Sequence, residues 1–296
     1  MMSLVSLMVV AALSAGVPVP VQTQAPEGRA VDQTVVVARG ARLNIENRAG
    51  EVVLRSWDRD AVRVVARPTA RARADIRQAD SIVWVSARGG TGSVDFEITV
   101  PSWMPVKVSG HFSYIELNGM GAEVTAENVR GDIDIKGGRG FITAKSIQGR
   151  IRIEGAEGKV SATAVHEPVT IQNASGEIIV ETTNGDVTMS AIKATAVTVG
   201  TVNGTVRYQG TFAQQGRYSF TTHNGSIILQ LPPAPNATFY VRTYGGSFRQ
   251  DLNLKPQGEV REGRRTAYVA GTGSAQVEIE SFNGDVRLIT TPQQER

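Results

Sequence analysis

GDIDIKGGRGFITAKSIQGRIRIEGAEGKVSATAVHEPVTIQNASGEIIVETTNGDVTM, residues 131–189, carries the pattern that decides the fold. Units begin at Gly131 (GDIDI), Gly140 (GFITA), Gly149 (GRIRI), Gly158 (GKVSA), Glu167 (EPVTI), Gly176 (GEIIV) and Gly185 (GDVTM), each nine residues after the last. The series loosens by one residue around Ala194 to Val199 and resumes at Gly204 (GTVRY). Self-similarity at a fixed period marks a repeat architecture. Within each unit apolar and polar residues alternate with period two, which is the strand signature. Ile133 and Ile135 point one way while Asp132 and Asp134 point the other. Glycine opens the unit because a turn with φ > 0 is expected there, and asparagine often precedes it. Asn-Gly stands at 118–119, 184–185, 203–204, 224–225 and 283–284. Such a pair ordinarily signals an antiparallel hairpin, but the short constant period favours a coil. The structural turns expected are Gly131, Gly140, Gly149, Gly158, Gly176, Gly185, Gly204, Gly225 and Gly284.

Charge patterning tests how many units close one coil. With two units per coil, residues 18 apart stack on neighbouring rungs, so Asp132 meets Arg150, Asp134 meets Arg152, and Lys159 meets Glu177. Such cross-strand pairs contribute about 0.2–1 kcal/mol each. The same stacking aligns Ile133, Ile151, Val169 and Val187 in one internal column and Ile135, Ile153, Ile171 and Met189 beside it. On the second face Ile142, Val160 and Ile178 align beside Ala144, Ala162 and Val180. The expectation is a flattened, two-sided solenoid. A three-sided coil of 27 residues is the alternative, and it loses those charge pairs.

Outside this block the strands lengthen. Upstream they read as 43–46, 52–55, 62–66, 82–86 and 95–100; downstream as 218–221, 227–231, 239–242, 276–281 and 286–289. Two segments, ITVPSWMPVKV (98–108) and ILQLPPAPNATFYV (228–241), run strand, Pro-containing bend, strand. Proline cannot donate to a ladder, so both mark rims or edges. The flanks read as caps that keep the solenoid ends from pairing edge to edge. The expected organisation is a signal peptide at 1–16, a polar Pro-rich tether at 17–30, an N-terminal β flank at 31–110, a regular core at 111–210, a C-terminal β flank at 211–291 and a tail at 292–296.

The chain has 296 residues, 41% of them hydrophobic, with 31 glycines against 8 Phe, 6 Tyr and 3 Trp, which suits a thin core of Val and Ile. Its 31 basic and 28 acidic residues leave a net charge of +3 spread along the chain, a poor match to a nucleic-acid binder with one basic face. The absence of cysteine excludes thiol nucleophiles, Cys-bound zinc, iron–sulfur clusters and disulfides. Leu4 to Leu13 (LVSLMVVAAL), followed by Ser14, Ala15 and Gly16, has the length of an export signal rather than a membrane span, although no Lys or Arg precedes it. No later apolar run is long enough to span a bilayer, so no transmembrane segment is expected in the mature chain.

LNIENRAGEVVLRSWDRDAVRVVA (43–66), EITVPSWMPVKV (97–108), the serial Asn-Gly turns and GTGSAQVEIESFNGDVRLI (271–289) resemble the bacterial putative-adhesin family of exported β-solenoid domains. The resemblance runs from about residue 31 to 290. It implies an exported or envelope-attached, adhesin-like protein. The shared motifs are structural glycines and alternating hydrophobics, and the family offers no catalytic residues to carry over.

Candidate chemistry is sparse. His111, His166 and His223 lie in no metal-ligand spacing, and His223 holds a turn position filled elsewhere by Thr183, Val202 and Phe282. The nearest approach to a calcium-binding glycine turn, Gly137-Gly138-Arg139-Gly140-Phe141-Ile142, has Ile where the aspartate belongs. No cofactor or metal is expected. A polysaccharide lyase or hydrolase is the rival reading, and it would draw on Asp132, Asp134, Arg150 and Arg152 as a cluster in a groove. Their regular spacing reads instead as a surface ladder. Thr143, Ser161, Thr170 and Thr188 make flat outward faces suited to binding or assembly. Arg67 to Arg77 (RPTARARADIR), with Arg261, Arg264 and Arg265, could meet anionic polymers, and with no aromatic platform among them single-stranded nucleic acid is a poor fit. The expected partners are an envelope glycan, a surface protein or a second copy of the chain, on a non-enzymatic scaffold in the periplasm, on the cell surface or outside the cell.

Overall fold

The computed structural model describes residues 22–24, 28–258, 263 and 265–291. The expected signal peptide, most of the tether, Arg261, Arg264 and the tail lie outside the described residues. Every regular element among the described residues is a β-strand. The chain divides into two compact units, Met1–Gly131 and Asp132–Arg296.

In the second unit the nine-residue repeat becomes alternating strands on two faces. Ile133–Gly137, Ile151–Glu154 and Val169–Gln172 stack in parallel on one face. Arg139–Gln148, Glu157–Ala164 and Ser175–Thr182 stack in parallel on the other. The register is 18 residues per coil: Ile133 pairs with Ile151, Ile151 with Val169, and Val169 with Val187. The two-sided coil is therefore the correct alternative. Both expected internal columns on each face form, and every residue in them is at most 1% exposed. Each buried Val, Ile or Met there contributes roughly 1.5–3 kcal/mol. The core of these coils is built of small and branched side chains, Val, Ile, Ala and one Met.

The loosening near residue 194 is a β-bulge. Gly176 pairs with Ala194, but Glu177 pairs with Ala196, so Thr195 is the extra residue. Its hydroxyl donates to the Gly176 carbonyl at 3.2 Å, which ties the bulge down. Beyond it the core departs from the Val/Ile expectation. Tyr208, Tyr218, Phe220 and Phe239 are at most 2% exposed. Phe212, from the longer connection, packs 4.5 Å (centroid to centroid) from Tyr218 and 5.9 Å from Phe239. Tyr218 stays satisfied in this core because its hydroxyl donates to the Ala194 carbonyl (2.6 Å) and accepts from the Ala213 amide (2.7 Å). Burial pushes the phenols of Tyr208 and Tyr218 above their ordinary range.

The last strands in sequence are not the last in space. Ala275–Asn283 lies between Arg217–Asn224 and Ala237–Thr243, in parallel with both. Val286–Thr290 likewise lies between Ile227–Leu231 and Phe248–Gln250. Ala237–Thr243 and Phe248–Gln250 thus form an outer rung, and the chain returns to fill the rung beneath it. That outer rung ends in short pieces: Phe248–Gln250, whose Gln250 side chain both donates to and accepts from Leu254 at 3.1 Å, and the two-residue strand Pro256–Gln257. Short edges and a proline leave little ladder for another chain to extend.

The first unit mixes the same coil with hairpins. Arg42–Trp57 and Val106–Met120 run in parallel through both faces. Arg42–Trp57 pairs with Ile82–Arg88 along its first part and with Val94–Pro101 along its second. It changes face at Asn47–Gly50, where the buried Asn47 amide donates to the Val94 carbonyl (3.0 Å). Antiparallel neighbours then widen each face: Val31–Val36 and Ala61–Pro68 on one, Arg73–Ala79 and Gln22–Gln24 on the other. The Pro-containing bends fall between strands as the sequence indicates, at 102–105 and 232–236.

Candidate binding edge

In the second unit one long edge is built from a four-residue turn, Thr/Ser-x-Asn-Gly, repeated at 182–185, 201–204, 222–225 and 281–284. Each position has its own physical reason. The first residue is buried, and in three of the four turns its hydroxyl feeds a turn carbonyl: Thr201 donates to Gly185 (3.3 Å), Thr222 to Gly204 (3.1 Å), and Ser281 to Gly225 (3.3 Å) and Gly284 (3.0 Å), whereas the Thr182 hydroxyl is buried without a partner. The glycine is required by close stacking. A Cβ at Gly204 would sit 2.2 Å from the Gly185 carbonyl oxygen, and one at Gly284 1.9 Å from that of Gly225.

This revises the reading that φ > 0 selects every turn glycine. Gly131, Gly140, Gly158, Gly176, Gly225 and Gly284 do have positive φ, from 88° to 156°. Gly185 and Gly204 do not; there the neighbouring rung's backbone excludes any side chain. Gly149 is buried at the turn between Arg139–Gln148 and Ile151–Glu154.

The two middle positions face outward. The asparagines form a ladder in which each side-chain amide donates to the one on the previous rung: Asn203 to Asn184 (2.7 Å), Asn224 to Asn203 (2.8 Å) and Asn283 to Asn224 (2.9 Å). Beside it runs the column of x residues, including Ile147, Val202, His223, Phe282 and Tyr244. Ile147, Val202, Phe282 and Tyr244 keep 36–46% of their surface in solvent. His223 and Phe282 stack with centroids 4.7 Å apart at 8°, and Phe282 and Tyr244 lie 5.1 Å apart at 38°. Tyr244 joins the column although its turn reads Thr-Tyr-Gly-Gly, with Gly245 in place of asparagine.

The sequence placed His223, Thr183, Val202 and Phe282 in equivalent turn positions but read them as turn-flanking only. Tyr244 was missed because the order of rungs in space, 224, then 283, then 245, differs from the order in sequence. The recurring hydroxyl three residues before each glycine was the available signal.

The charged residues singled out from sequence lie on the outward faces, paired rung to rung. Arg150 donates to Asp132 through Nη2 (2.6 Å) and Nε (3.1 Å), Lys159 Nζ is 3.0 Å from Glu177, and Arg152 is 3.9 Å from Asp134. Arg139–Glu157 and Arg207–Asp186 repeat the pattern at 2.9 Å each. Two aspartates titrate below the usual carboxylate range. Asp32 is lowered chiefly by the hydrogen bond from Arg63, and Asp285 falls to about 2 because the Ser247 amide and hydroxyl donate to it. Both shifts favour the ionised form, the opposite of what a general acid needs.

Other surfaces converge less. Thr143, Ser161, Thr170 and Thr188 lie at outward strand positions, two on each face. In the basic stretch Arg67 meets Glu97 (3.3 Å) and Arg77 meets the buried Asp75 (2.5 Å). Arg265 pairs with Glu278 and sits 4.3 Å over the Tyr240 ring, in a shallow open recess of about 370 Å³ lined also by Gln257 and Gln276. Among the described residues no group of three or more His, Asp or Glu side chains is placed to hold a metal ion, and no helix is long and apolar enough to cross a membrane.

Two solved structures align along 89% of this chain at 10% identity each. One is described as a putative cell adhesion protein from Clostridium sporogenes, covered over 100% of its length with a TM-score of 0.29. The other is described as a putative adhesin from Bacteroides fragilis, covered over 99% with a TM-score of 0.41. Likenesses this remote decide nothing about ligand or role. No curated protein matches the sequence. The Toastrack DUF4097 family model, in contrast, matches residues 40–289, which take in both units' strands from Arg42 to the last rung. With all-β rungs, turn glycines and that match in agreement, the chain belongs to the Toastrack DUF4097 family.

Proposed function

We propose that this chain is an exported, non-catalytic, adhesin-like or cell-envelope scaffold protein that presents a rigid β-solenoid surface to a glycan, a protein partner or another copy of itself. The observation that carries the reading is the state of its outward carboxylates. Asp132, Asp134, Glu157, Glu177 and Asp186 each lie within 4 Å of a cation on the next rung. A glycosidase needs instead two carboxyls facing one substrate, one of them held protonated. Rung-to-rung pairing along a stacked backbone gives a fixed surface with regularly spaced side chains, which suits recognition. Export rests on the apolar run Leu4 to Leu13 and the small residues after it.

The test is to express the full chain with a C-terminal tag in a bacterium, fractionate the cells, and identify the N-terminal residue by mass spectrometry. The expected outcome is a mature chain beginning beyond Gly16, found in the envelope or medium and adhering to added whole cells. An unprocessed cytoplasmic protein that adheres to no cell preparation contradicts the reading.

A further inference from the structure

The Thr/Ser-x-Asn-Gly edge sets two outward columns side by side, one of amides and one mainly of apolar and aromatic side chains. In the asparagine ladder each Oδ1 of Asn184, Asn203 and Asn224 accepts from the next rung. Each donating amide uses one hydrogen within the ladder and has a second left to offer. The ladder therefore shows solvent a row of N–H donors, one per rung, polarised in one direction. In the neighbouring column His223 and Phe282 cover one another's faces, at 4.7 Å and 8°. What they show to solvent is ring edge, C–H on Phe282 and, on the His223 imidazole, C–H with one N–H donor and one acceptor nitrogen. Amide donors beside aromatic ring edges, in adjacent files at rung spacing, suit an extended ligand with many oxygen acceptors and apolar C–H groups between them.

Charge narrows the class. From Thr183 to Gly245 the outward turn positions carry no Lys, Arg, Asp or Glu. Arg242, which bonds the Tyr244 hydroxyl (3.1 Å), is paired with Glu280 (3.4 Å), and Arg207 beside the turns is paired with Asp186 (2.9 Å). Nothing on the strip compensates a polyanion. A second copy is a poor occupant for two reasons. Two donor-rich strips do not complement each other, and a stable protein interface buries about 800 Å² per partner, more than a column one side chain wide supplies. We propose that this edge binds a neutral polysaccharide chain laid along the rungs, its hydroxyl and ether oxygens meeting the asparagine amides and ring edges. The proposal rests on the binding role argued above and names its site and ligand class.

The experiment uses the purified full chain against immobilised neutral polysaccharides (β-glucan, mannan, galactan) and acidic ones (alginate, polygalacturonate). Sedimentation velocity runs in parallel. The variants are Thr183→Arg, which obstructs the column while leaving the ladder intact, Phe282→Ser with Val202→Ser, and Thr198→Arg at an exposed strand position as control. Circular dichroism and thermal melts show whether each variant is folded. The expected result is saturable binding to at least one neutral polymer, lowered about tenfold or more by the edge variants, as truncating central anchors does, and unchanged by Thr198→Arg. Binding that survives folded edge variants overturns the site while leaving the broader binding role standing. Exclusive binding to acidic polymers, or edge-dependent dimerisation without polysaccharide binding, overturns the ligand class. Binding to no polysaccharide of either kind overturns the inference outright, while adhesion to whole cells separately decides the broader role.

Discussion

Gly204→Ala, compared with Gly200→Ala four residues earlier, isolates what the stacked turns require. Neither glycine has a positive φ, so backbone strain does not enter. A Cβ at Gly200 meets nothing within 4 Å, whereas one at Gly204 would lie 2.2 Å from the Gly185 carbonyl oxygen and 2.7 Å from its carbon. Relieving that contact means opening the rungs by about 1 Å against a spacing of about 4.8 Å. The bonds at risk are those across the opened gap, the Asn203 amide to the Thr183 carbonyl (2.7 Å) and the Asn203 to Asn184 side-chain bond (2.7 Å). At about 1 kcal/mol net for each hydrogen bond, plus overpacking of about 1 kcal/mol or more, Gly204→Ala should destabilise by roughly 2–3 kcal/mol. Gly200→Ala should be neutral or stabilise by up to about 1 kcal/mol through the unfolded chain. Urea unfolding followed by circular dichroism measures both. Equal stability of the two variants would refute the close-stacking account.

Three further outcomes follow from the same geometry. Thr222→Val keeps the shape but removes the hydroxyl that donates to Gly204 at 3.1 Å, and should cost about 1 kcal/mol in urea unfolding. Tyr218→Phe strips partners from the Ala194 carbonyl and the Ala213 amide and should cost about 1–3 kcal/mol, with the near-ultraviolet dichroism of the aromatic cluster changed. Asp285 has a folded pKa of about 2, below its unfolded value of about 4, so its stabilisation is present above about pH 4 and is lost as pH falls towards 2. The melting temperature of Asp285→Asn should therefore fall less across that window than that of the wild type. Some acid dependence should remain, because Asp32 is lowered too.

Much of the fold was legible because its cause is local and repetitive. The 18-residue charge spacing of Asp132 with Arg150 and Lys159 with Glu177 favoured the two-sided coil over a three-sided one, which loses those pairs, and the register bears it out. The loosening at 194–199 was visible as a phase slip and is one bulged residue, Thr195. The insertion of Ala275–Asn283 between earlier rungs was not legible. Parallel rungs of similar sequence are interchangeable by pattern, so nothing in the period shows that Ala275–Asn283 pairs with both Arg217–Asn224 and Ala237–Thr243. For the same reason Tyr244 did not stand out as a neighbour of Phe282. The aromatic core around Tyr208 and Phe239 was hidden as well, because it fills space created by the longer connection at 211–216, which breaks the nine-residue period.

The most direct measurement of the central claim is to incubate the purified protein with whole bacterial cells and with purified envelope polysaccharides, assaying bound protein and newly released sugar ends in the same samples. Saturable binding without release of sugar ends is the predicted result. Release that disappears in Asp132→Asn or Asp134→Asn, with the fold intact, would contradict it and establish an enzyme.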